Sequence, residues 1–478
     1  MTADGSSPRR RPNVVLINCD DLGYGDLGCY GSTRNDTPVL DRMAEEGLRL
    51  TDFYMASPVC SPSRAAMLTG CYPPRIGFDQ FDGLPVLFPG QRFGLHEDEV
   101  TLAQVLSDAG YATKLVGKWH CGDQPGFLPT RRGFDGYFGL PYSNDMGRQR
   151  TENDFSLPAL MAKLGIPFVD EMPPLPLLLD DEVLEQQPDQ TSLTARYVDE
   201  SIRFLRANRD RPFFLYLAHI YVHLPIYVQE RFAVASRNGR YGAAVASIDW
   251  AAGVLLAELR SLGLDDDTIV IFTSDNGSRA RDEGGSNLPL RGEKATAWEG
   301  GLRVPCIVRW PGQVPAGEVR SDLTTAMDLL PTLATLCGGE VPGDRTIDGR
   351  DISPILLGDA GATSPHEAFW YYVGDQLHAV RAGRWKLHVS REGAAVEELY
   401  DLVDDPGETS DVAPSHPEVV ADLLRHAERA RAELGDRATG RIGGGRRPVG
   451  EVSDPVPLTT FDPAHPYYLA EYDLTDMG

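Results

Sequence analysis

Four short apolar segments, each followed at once by polar residues, constrain the fold of this 478-residue chain more than any other feature. They lie at 14–17, 112–116, 213–218 and 268–273. Continuous apolar runs of this length are typical of strands buried on both faces of a parallel sheet. Helical patterns at 101–110 and 243–262 lie between them, and such alternation indicates a doubly wound domain. The sequence therefore predicts an α/β fold with a large, mixed or mostly parallel sheet.

A second structural unit is predicted beyond residue 360, where the residue pattern changes. A small antiparallel sheet is expected there, followed by a helix at 417–434. Its four alternating segments are 369–373, 377–382, 385–389 and 397–402. We therefore expect a large α/β domain at 12–360, a smaller C-terminal domain at 361–438, and a linker and tail at 439–478. The segment 157–188, rich in proline, leucine and acidic residues, is expected to be an insertion or lid rather than core.

The charge and cysteine content exclude several classes of protein. A net charge of −25 argues against nucleic acid or an anionic membrane as partner, and any anionic substrate must meet local cations. The seven cysteines are odd in number and lack C-x-x-C spacing, so neither a disulfide framework nor a zinc site is predicted. We find no apolar run of membrane-spanning length and no signal-peptide pattern, so the protein is expected to be soluble and cytoplasmic.

Acidic and amide side chains follow two of the predicted strands. The first strand runs into Asp20 and Asp21, and the fourth runs into Asp275 and Asn276. Taken alone, the pair Asp20 and Asp21 is better explained as a solvated turn. Because the carboxyl ends of parallel strands meet at one edge of a sheet, where such folds bind ligands, we expect all four side chains to lie close together. An all-oxygen set suits Ca²⁺, or Mg²⁺, and disfavours zinc and copper.

Basic side chains follow the other two strands. Lys118 and His120 come after the second strand, and His223 comes shortly after the third. In isolation each would be a surface lysine or a capping histidine, but together they would place positive charge at the same edge. A glycine-rich loop further on carries Lys294. The chain has only five lysines, and two of them fall in these motifs, which favours a functional role for Lys118 and Lys294.

The run Cys60-Ser61-Pro62-Ser63-Arg64 adds a candidate reactive residue. Pro62 suits a first helical turn, and Gly70 can end the helix that follows. Cys60 would therefore sit at a helix N-terminus, where free N–H groups and the helix dipole favour an anion. The alternative is a buried structural cysteine before an ordinary helix.

The Cys60–Arg64 run resembles the C-x-P-x-R signature of type I sulfatases, and the order of the motifs resembles that of the arylsulfatase A-like members of the alkaline phosphatase superfamily. The likeness extends from about residue 12 to 413. It implies that Cys60 is oxidised to Cα-formylglycine, whose hydrate attacks the sulfur of a sulfate ester. The partners implied are a small-molecule or carbohydrate sulfate ester and, during maturation, a formylglycine-generating enzyme.

The resemblance also assigns roles to the candidate residues. One calcium ion would be held by Asp20, Asp21, Asp275 and Asn276, with the modified Cys60 completing its site. Arg64, Lys118 and His120 would position the hydrate and offset its charge. His223 and Lys294 would grip the sulfate and assist the leaving group.

Two alternatives remain at this stage. A phosphonate monoester or phosphodiester hydrolase could use the same formylglycine site. A non-catalytic calcium-binding protein with Cys60 left as a thiol belongs to another class.

Overall fold

One large mixed sheet organises the computed structural model, which describes residues 11–147, 172–279, 283–391, 393–462 and 464–465. The strands before residue 330 are, in chain order, β1 (Asn13–Cys19), β2 (Leu48–Tyr54), β3 (Phe93–Gly94), β4 (Ala112–Gly117), β5 (Gly136–Gly139), β6 (Pro176–Leu179), β7 (Glu182–Gln186), β8 (Phe213–Ala218), β9 (Thr268–Ser274), β10 (Arg303–Arg309), β11 (Glu318–Arg320) and β12 (Thr324–Thr325). The large sheet has 11 strands in the order β11-β2-β10-β9-β1-β8-β4-β5-β6-β7, with β12 also paired to β2.

The four strands predicted from apolar runs form the centre of this sheet. In the run β9-β1-β8-β4-β5 all neighbours are parallel, and Val14 of β1 lies opposite Phe214 of β8 and Ile269 of β9. These strands are buried along almost their whole length, which explains their continuous apolar sequences. β10 and β6 run antiparallel to their neighbours, so the sheet is mixed.

Helices cover both faces of the sheet, as the doubly wound prediction requires. In chain order they are α1 (Pro38–Glu45), α2 (Cys60–Thr69), α3 (Leu102–Asp108), α4 (Leu193–Ala207), α5 (Glu230–Ala233), α6 (Gly239–Ser261), α7 (Glu299–Leu302), α8 (Leu329–Cys337), α9 (Ser353–Leu356) and α10 (Pro417–Leu434). Helices α1, α4 and α6 pack together in one apolar core, and α2, α3 and α8 contribute to the other. The predicted fold class is confirmed.

The C-terminal sheet and helix also form as predicted. The strands β13 (Phe369–Val373), β14 (Gln376–Ala382), β15 (Trp385–Arg391) and β16 (Ala394–Asp401) make an antiparallel meander. Helix α10 packs on β14 and β15. Three short strands follow α10: β17 (Gly435–Asp436), β18 (Arg441–Ile442) and β19 (Gly450–Glu451). β19 pairs with β3, so the end of the described chain lies against its N-terminal part. The domain boundaries at 360 and 438 stay a prediction.

Part of the segment expected to be a lid belongs to the large sheet. β6 and β7 both lie within 157–188 and extend that sheet beyond β5. Leu175, Leu177 and Leu178 are fully buried in the core. These three leucines therefore serve packing, and the expectation of an insertion outside the core is wrong for residues 174–178, whereas Leu179 and Leu184 are exposed; residues 157–171 lie outside the described residues.

Helix α6 corrects the expectation that no segment has the length of a membrane span. It is 23 residues long and apolar enough to cross a membrane by length and composition alone. In the fold most of its apolar stretch is buried against α1 and α4. The helix of a soluble core passes the same test, so this finding decides nothing about a membrane.

We predict that Asp249→Ala lowers the free energy of unfolding by about 1–2 kcal/mol, the cost of losing a helix N-cap. Asp249, on α6, accepts hydrogen bonds from the backbone N–H of Val39 (3.1 Å) and Leu40 (2.8 Å) at the start of α1. Thr37, the N-cap residue of α1, makes no such bond with its own side chain. Urea unfolding would measure the change, with the exposed Asp359→Ala as the control. Equal stability of both variants would contradict this capping role.

Candidate active site

The loops that follow the central strands are tied to one another by backbone hydrogen bonds. Asp275 N donates to Cys19 O (3.0 Å), Lys118 N donates to Ala218 O (2.7 Å), and Asp20 N donates to Tyr221 O (3.1 Å). These bonds continue the pairing of the parallel strands past their carboxyl ends. The polar clusters that the sequence placed at this edge are thus brought together.

Helix α2 delivers Cys60 to the same edge. The helix begins at Cys60 and ends at Thr69, and Gly70 closes it in the left-handed region with φ of 69°. Ser63 Oγ donates to the carbonyl of Asp275, which attaches the first turn to the loop after β9. Cys60 is 1% exposed, and its Sγ donates to Asp20 Oδ1 at 3.2 Å. The predicted position at a helix N-terminus is confirmed.

Three carboxylates form a compact group beside Cys60. One ligand atom from each of Asp20, Asp21 and Asp275 and the Cys60 Sγ all lie within 4.8 Å of one another. Asn276 Nδ2 donates to Asp21 Oδ1 at 2.7 Å, while Asn276 Oδ1 is buried and has no hydrogen-bond partner among the described residues. Four of the five residues assigned to the metal, namely Asp20, Asp21, Asp275 and Asn276, therefore offer oxygen ligands here, and Cys60 lies beside them with its sulfur.

Three cations neutralise these carboxylates. Lys118 Nζ lies 2.6 Å from Asp20 Oδ2, and Lys294 Nζ lies 2.9 Å from Asp21 Oδ2. Arg64 binds Asp275 through Nε at 2.8 Å and approaches Asp20 through Nη2 at 3.4 Å. Lys118 and Arg64 are fully buried, and the Lys294 side chain is 9% exposed. Positive charge is therefore built into the site of a strongly acidic protein.

The charges shift the pKa values of the acidic groups in opposite directions. Burial opposes ionisation of Asp20, but Lys118, His223 and Arg64 outweigh it and hold the pKa of that carboxyl far below its usual range. Burial and the neighbouring Asp20 carboxylate raise the pKa of Asp275 to about 6. Burial, with Asp20 beside it, also raises the pKa of the Cys60 thiol well above its ordinary value. As a thiol, Cys60 is therefore a poor nucleophile.

The histidines differ in what their ring nitrogens face. His120 Nε2 donates to Leu87 O at 2.9 Å, and its Nδ1 is buried without a partner among the described residues. His223 Nδ1 donates to Leu224 O at 2.6 Å, which leaves Nε2 3.9 Å from Asp21 Oδ2. Burial lowers the pKa of both rings. His219, which the sequence analysis did not include, is buried beneath this edge between Tyr197 and Tyr221.

One site residue was missed by sequence reasoning. Ser143 Oγ accepts a hydrogen bond from Lys118 Nζ at 2.7 Å, so Lys118 is held between Ser143 and Asp20. Ser143 follows β5, a short strand parallel to β4. The rule that polar residues after parallel strands meet at one edge could have found it, but β5 is only four residues long and was not recognised.

Comparison with known proteins agrees with this geometry. The family model described as Sulfatase matches residues 12–339, and the one described as N-sulphoglucosamine sulphohydrolase, C-terminal, matches residues 293–433. The chain is 40% identical to arylsulfatase A of Homo sapiens, covering 90% of each protein, and 38% identical to steryl-sulfatase of Mus musculus, covering 89% of this chain and 83% of that protein. It is also similar to the crystal structure of Ps i-CgsB in complex with k-i-k-neocarrahexaose, with a TM-score of 0.76, 30% identity, and coverage of 88% of this chain and 92% of that chain.

The chain belongs to the sulfatase family. It is a type I sulfatase of the alkaline phosphatase superfamily and therefore a sulfuric ester hydrolase.

We predict that Ser143→Ala lowers kcat/KM for a sulfate ester by about tenfold, because a hydrogen bond to a charged group contributes about 1.5–3 kcal/mol. The change frees Lys118 to leave its position between Asp20 and Ser143. Steady-state kinetics would measure the effect. The control is Ser201→Ala. Ser201 is a buried serine on α4 whose hydroxyl makes a hydrogen bond of the same length, 2.7 Å, and its replacement should leave kcat/KM unchanged. Equal losses of kcat/KM in both variants would mean that the effect comes from a general loss of packing.

Proposed function

We propose that this protein hydrolyses sulfate esters through a formylglycine formed from Cys60, with one calcium ion held by Asp20, Asp21, Asp275 and Asn276. The observation that carries the proposal is the convergence of three buried cations on this carboxylate group at the N-terminus of α2. The proposal includes the release of inorganic sulfate together with an alcohol or phenol.

The charge balance of the site supports an anionic substrate. Among the described residues, the carboxylates of Asp20, Asp21 and Asp275 are matched by Arg64, Lys118 and Lys294. A divalent cation would add two positive charges to this balanced set. The site would then attract a sulfate monoester although the whole chain carries a net charge of −25.

The donors present fit calcium. Ca²⁺ prefers six to eight oxygen ligands, and three carboxylates with an amide oxygen supply hard oxygen donors. Asn276 Oδ1 is buried without a partner among the described residues, an arrangement that costs free energy unless a cation occupies the position it faces. When bound, the ion would polarise a sulfate oxygen and offset the charge that develops during attack.

The surroundings of Cys60 fit a modified residue better than a thiol. Burial and Asp20 raise the pKa of the thiol, so an unmodified Cys60 would stay protonated and unreactive. A formylglycine hydrate would supply a hydroxyl nucleophile at this position. Because Cys60 is 1% exposed, a formylglycine-generating enzyme must reach it before the fold closes.

The remaining residues act by position and charge. Arg64, Lys118 and Lys294 would stabilise the negative charge that builds on the sulfate oxygens, the type of stabilisation that usually contributes most in such sites. His120 Nδ1, which lacks a partner among the described residues, would accept a hydrogen bond from the nucleophile.

Proton transfers would accompany the attack on sulfur, and the remaining hydroxyl of the hydrate would then lose its proton and expel sulfate, which regenerates the aldehyde. Asp275, which lies beside Cys60 in the carboxylate group, would accept the proton of the attacking hydroxyl. Lys294, or His223 once a bound anionic ester has favoured protonation of its ring, would donate a proton to the departing oxygen, a contribution of about a hundredfold to ten-thousandfold in rate.

The test compares hydrolysis of an aryl sulfate with that of the matching aryl phosphonate monoester, using protein co-expressed with a formylglycine-generating enzyme. We expect faster hydrolysis of the sulfate, and a loss of at least about a thousandfold in Cys60→Ala. Mass spectrometry of the Cys60 peptide should show an aldehyde in place of the thiol. Cys71→Ala, a buried cysteine just beyond α2, is the matched control and should keep full activity.

The same experiment decides between the alternatives. A preference for the phosphonate would identify the phosphonate monoester or phosphodiester hydrolase. An intact thiol at Cys60, with neither substrate hydrolysed, would instead favour the non-catalytic calcium-binding protein.

Removal of calcium should lower both activity and stability. A ligand at a hundred times its Kd stabilises a protein by about 2.7 kcal/mol, so Ca²⁺ should raise the Tm of chelator-treated protein. Asn276→Ala should reduce this shift, whereas Asp123→Ala, a buried aspartate outside the group, should keep it. Identical melting curves with and without Ca²⁺ would contradict the metal assignment.

A further inference from the structure

A second group of buried charges lies where the C-terminal sheet meets the large sheet. Its centre is Lys386 on β15, which is fully buried. Lys386 Nζ lies 3.0 Å from Glu299 Oε1 and 2.9 Å from Glu408 Oε1, and it stands 4.0 Å from the centre of the Tyr371 ring. Glu299 and Glu408 are fully buried as well. No step of the proposed reaction uses these residues.

This group holds the loop that carries Lys294. Lys386 Nζ donates to the carbonyl of Ala297 at 2.8 Å, three residues beyond Lys294. Glu299 N donates to Glu408 Oε2 at 2.8 Å, and Arg291 Nη1 donates to Glu408 O at 2.7 Å. Both ends of the segment 291–299 are therefore attached to residues of the C-terminal part of the chain.

The middle of the same segment is attached to the active site. Lys294 Nζ binds Asp21 at 2.9 Å, and Lys294 N donates to Ser278 O at 3.1 Å. Ala295 N donates to Pro58 O at 2.9 Å, two residues before Cys60. Ala295 has φ of 67°, in the left-handed region that alanine rarely adopts. A non-glycine residue keeps such a conformation only where its surroundings enforce it.

Protein stability alone does not explain why the charged groups around Lys386 are buried. Glu299 also accepts hydrogen bonds from Tyr54 (2.5 Å) and Tyr371 (2.8 Å), so each of its oxygens is satisfied. A buried ion pair is often no more stabilising than apolar residues of the same volume, although removal of one partner is costly. Its directional bonds do, however, allow one geometry of the loop and disfavour others.

We propose that Lys386 is a positioning residue, which acts through Ala297, Glu299 and Glu408 to fix the loop 291–299 so that Lys294 reaches the sulfate site. The inference rests on the proposed function for the role of Lys294. It also gives a reason for one more of the chain's five lysines, besides the two in the active site.

A double-mutant cycle on kcat/KM for an aryl sulfate tests the proposal. We expect Lys386→Met to lower kcat/KM by about tenfold to a hundredfold, because small displacements of a positioned group have effects of this size. In the Lys294→Ala background the same change should have less than about twofold effect, since there is no Lys294 left to position. Equal losses in both backgrounds would overturn the proposal, because a merely structural role does not depend on Lys294.

Two further variants keep the test decisive. If Lys386→Met does not fold, Glu408→Gln takes its place in the cycle, because it keeps the side-chain volume but removes the charge and one of the two oxygens that accept hydrogen bonds from Lys386 and Glu299 N. Lys114→Met is the matched control, since Lys114 forms an ion pair of 2.9 Å with Glu200 away from the loop. It should leave kcat/KM unchanged, and a loss as large as that of Lys386→Met would count against a specific effect.

Hydrogen–deuterium exchange gives a readout that does not need an active enzyme. In Cys60→Ala protein, Lys386→Met should accelerate exchange within 291–299 while the central strands β1 and β8 stay protected. Unchanged exchange in this segment would overturn the positioning role. The two proposals can fail separately. If the wild-type protein hydrolysed no aryl sulfate, but Lys386→Met still accelerated exchange within 291–299, the proposed function would be wrong and the role of Lys386 in holding the loop would be supported.

Discussion

The interaction on which the rest of this structure depends is the mutual neutralisation of three buried carboxylates and three cations at the carboxyl edge of the sheet. Asp20, Asp21 and Asp275 could not remain ionised away from water without partners, and neither could the basic groups that face them. Lys118 and Arg64 both approach Asp20, and Lys294 closes the group through Asp21. The members of this balance come from the loops after β1, β4 and β9, from α2 and from the loop that carries Lys294.

The topology of the large sheet brings these carboxylates and cations together. Parallel strands bring the ends of β1, β4, β8 and β9 to one edge, so residues far apart in the chain become neighbours. Helix α2 adds Cys60 and Arg64 and places Cys60 at its N-terminus. The C-terminal sheet contributes from outside by holding the loop of Lys294 through Lys386. The second sheet therefore supports the site without lining it.

Most of the central architecture could be predicted because its signals are local. The apolar runs of β1, β4, β8 and β9 and the turn residue Gly70 were recognised from neighbouring residues alone. β6 and β7 were not, because their short sequences lie in a segment whose proline and acidic content is typical of a surface insertion. Ser143 was not predicted as a site residue for a related reason, since the strand before it is only four residues long.

The sequence by itself determined the fold class and which residue types gather at the sheet edge, since apolar strand runs and the carboxyl-edge rule need no knowledge of packing. The family followed from the resemblance of the Cys60–Arg64 run and the motif order to known sulfatases. Only the tertiary structure decided which cation meets which carboxylate and what holds each one. Lys118 and Ser143 are 25 residues apart, and Lys386 and Glu299 are 87 apart. Contacts over such separations depend on how whole elements pack, which no local pattern of residues encodes.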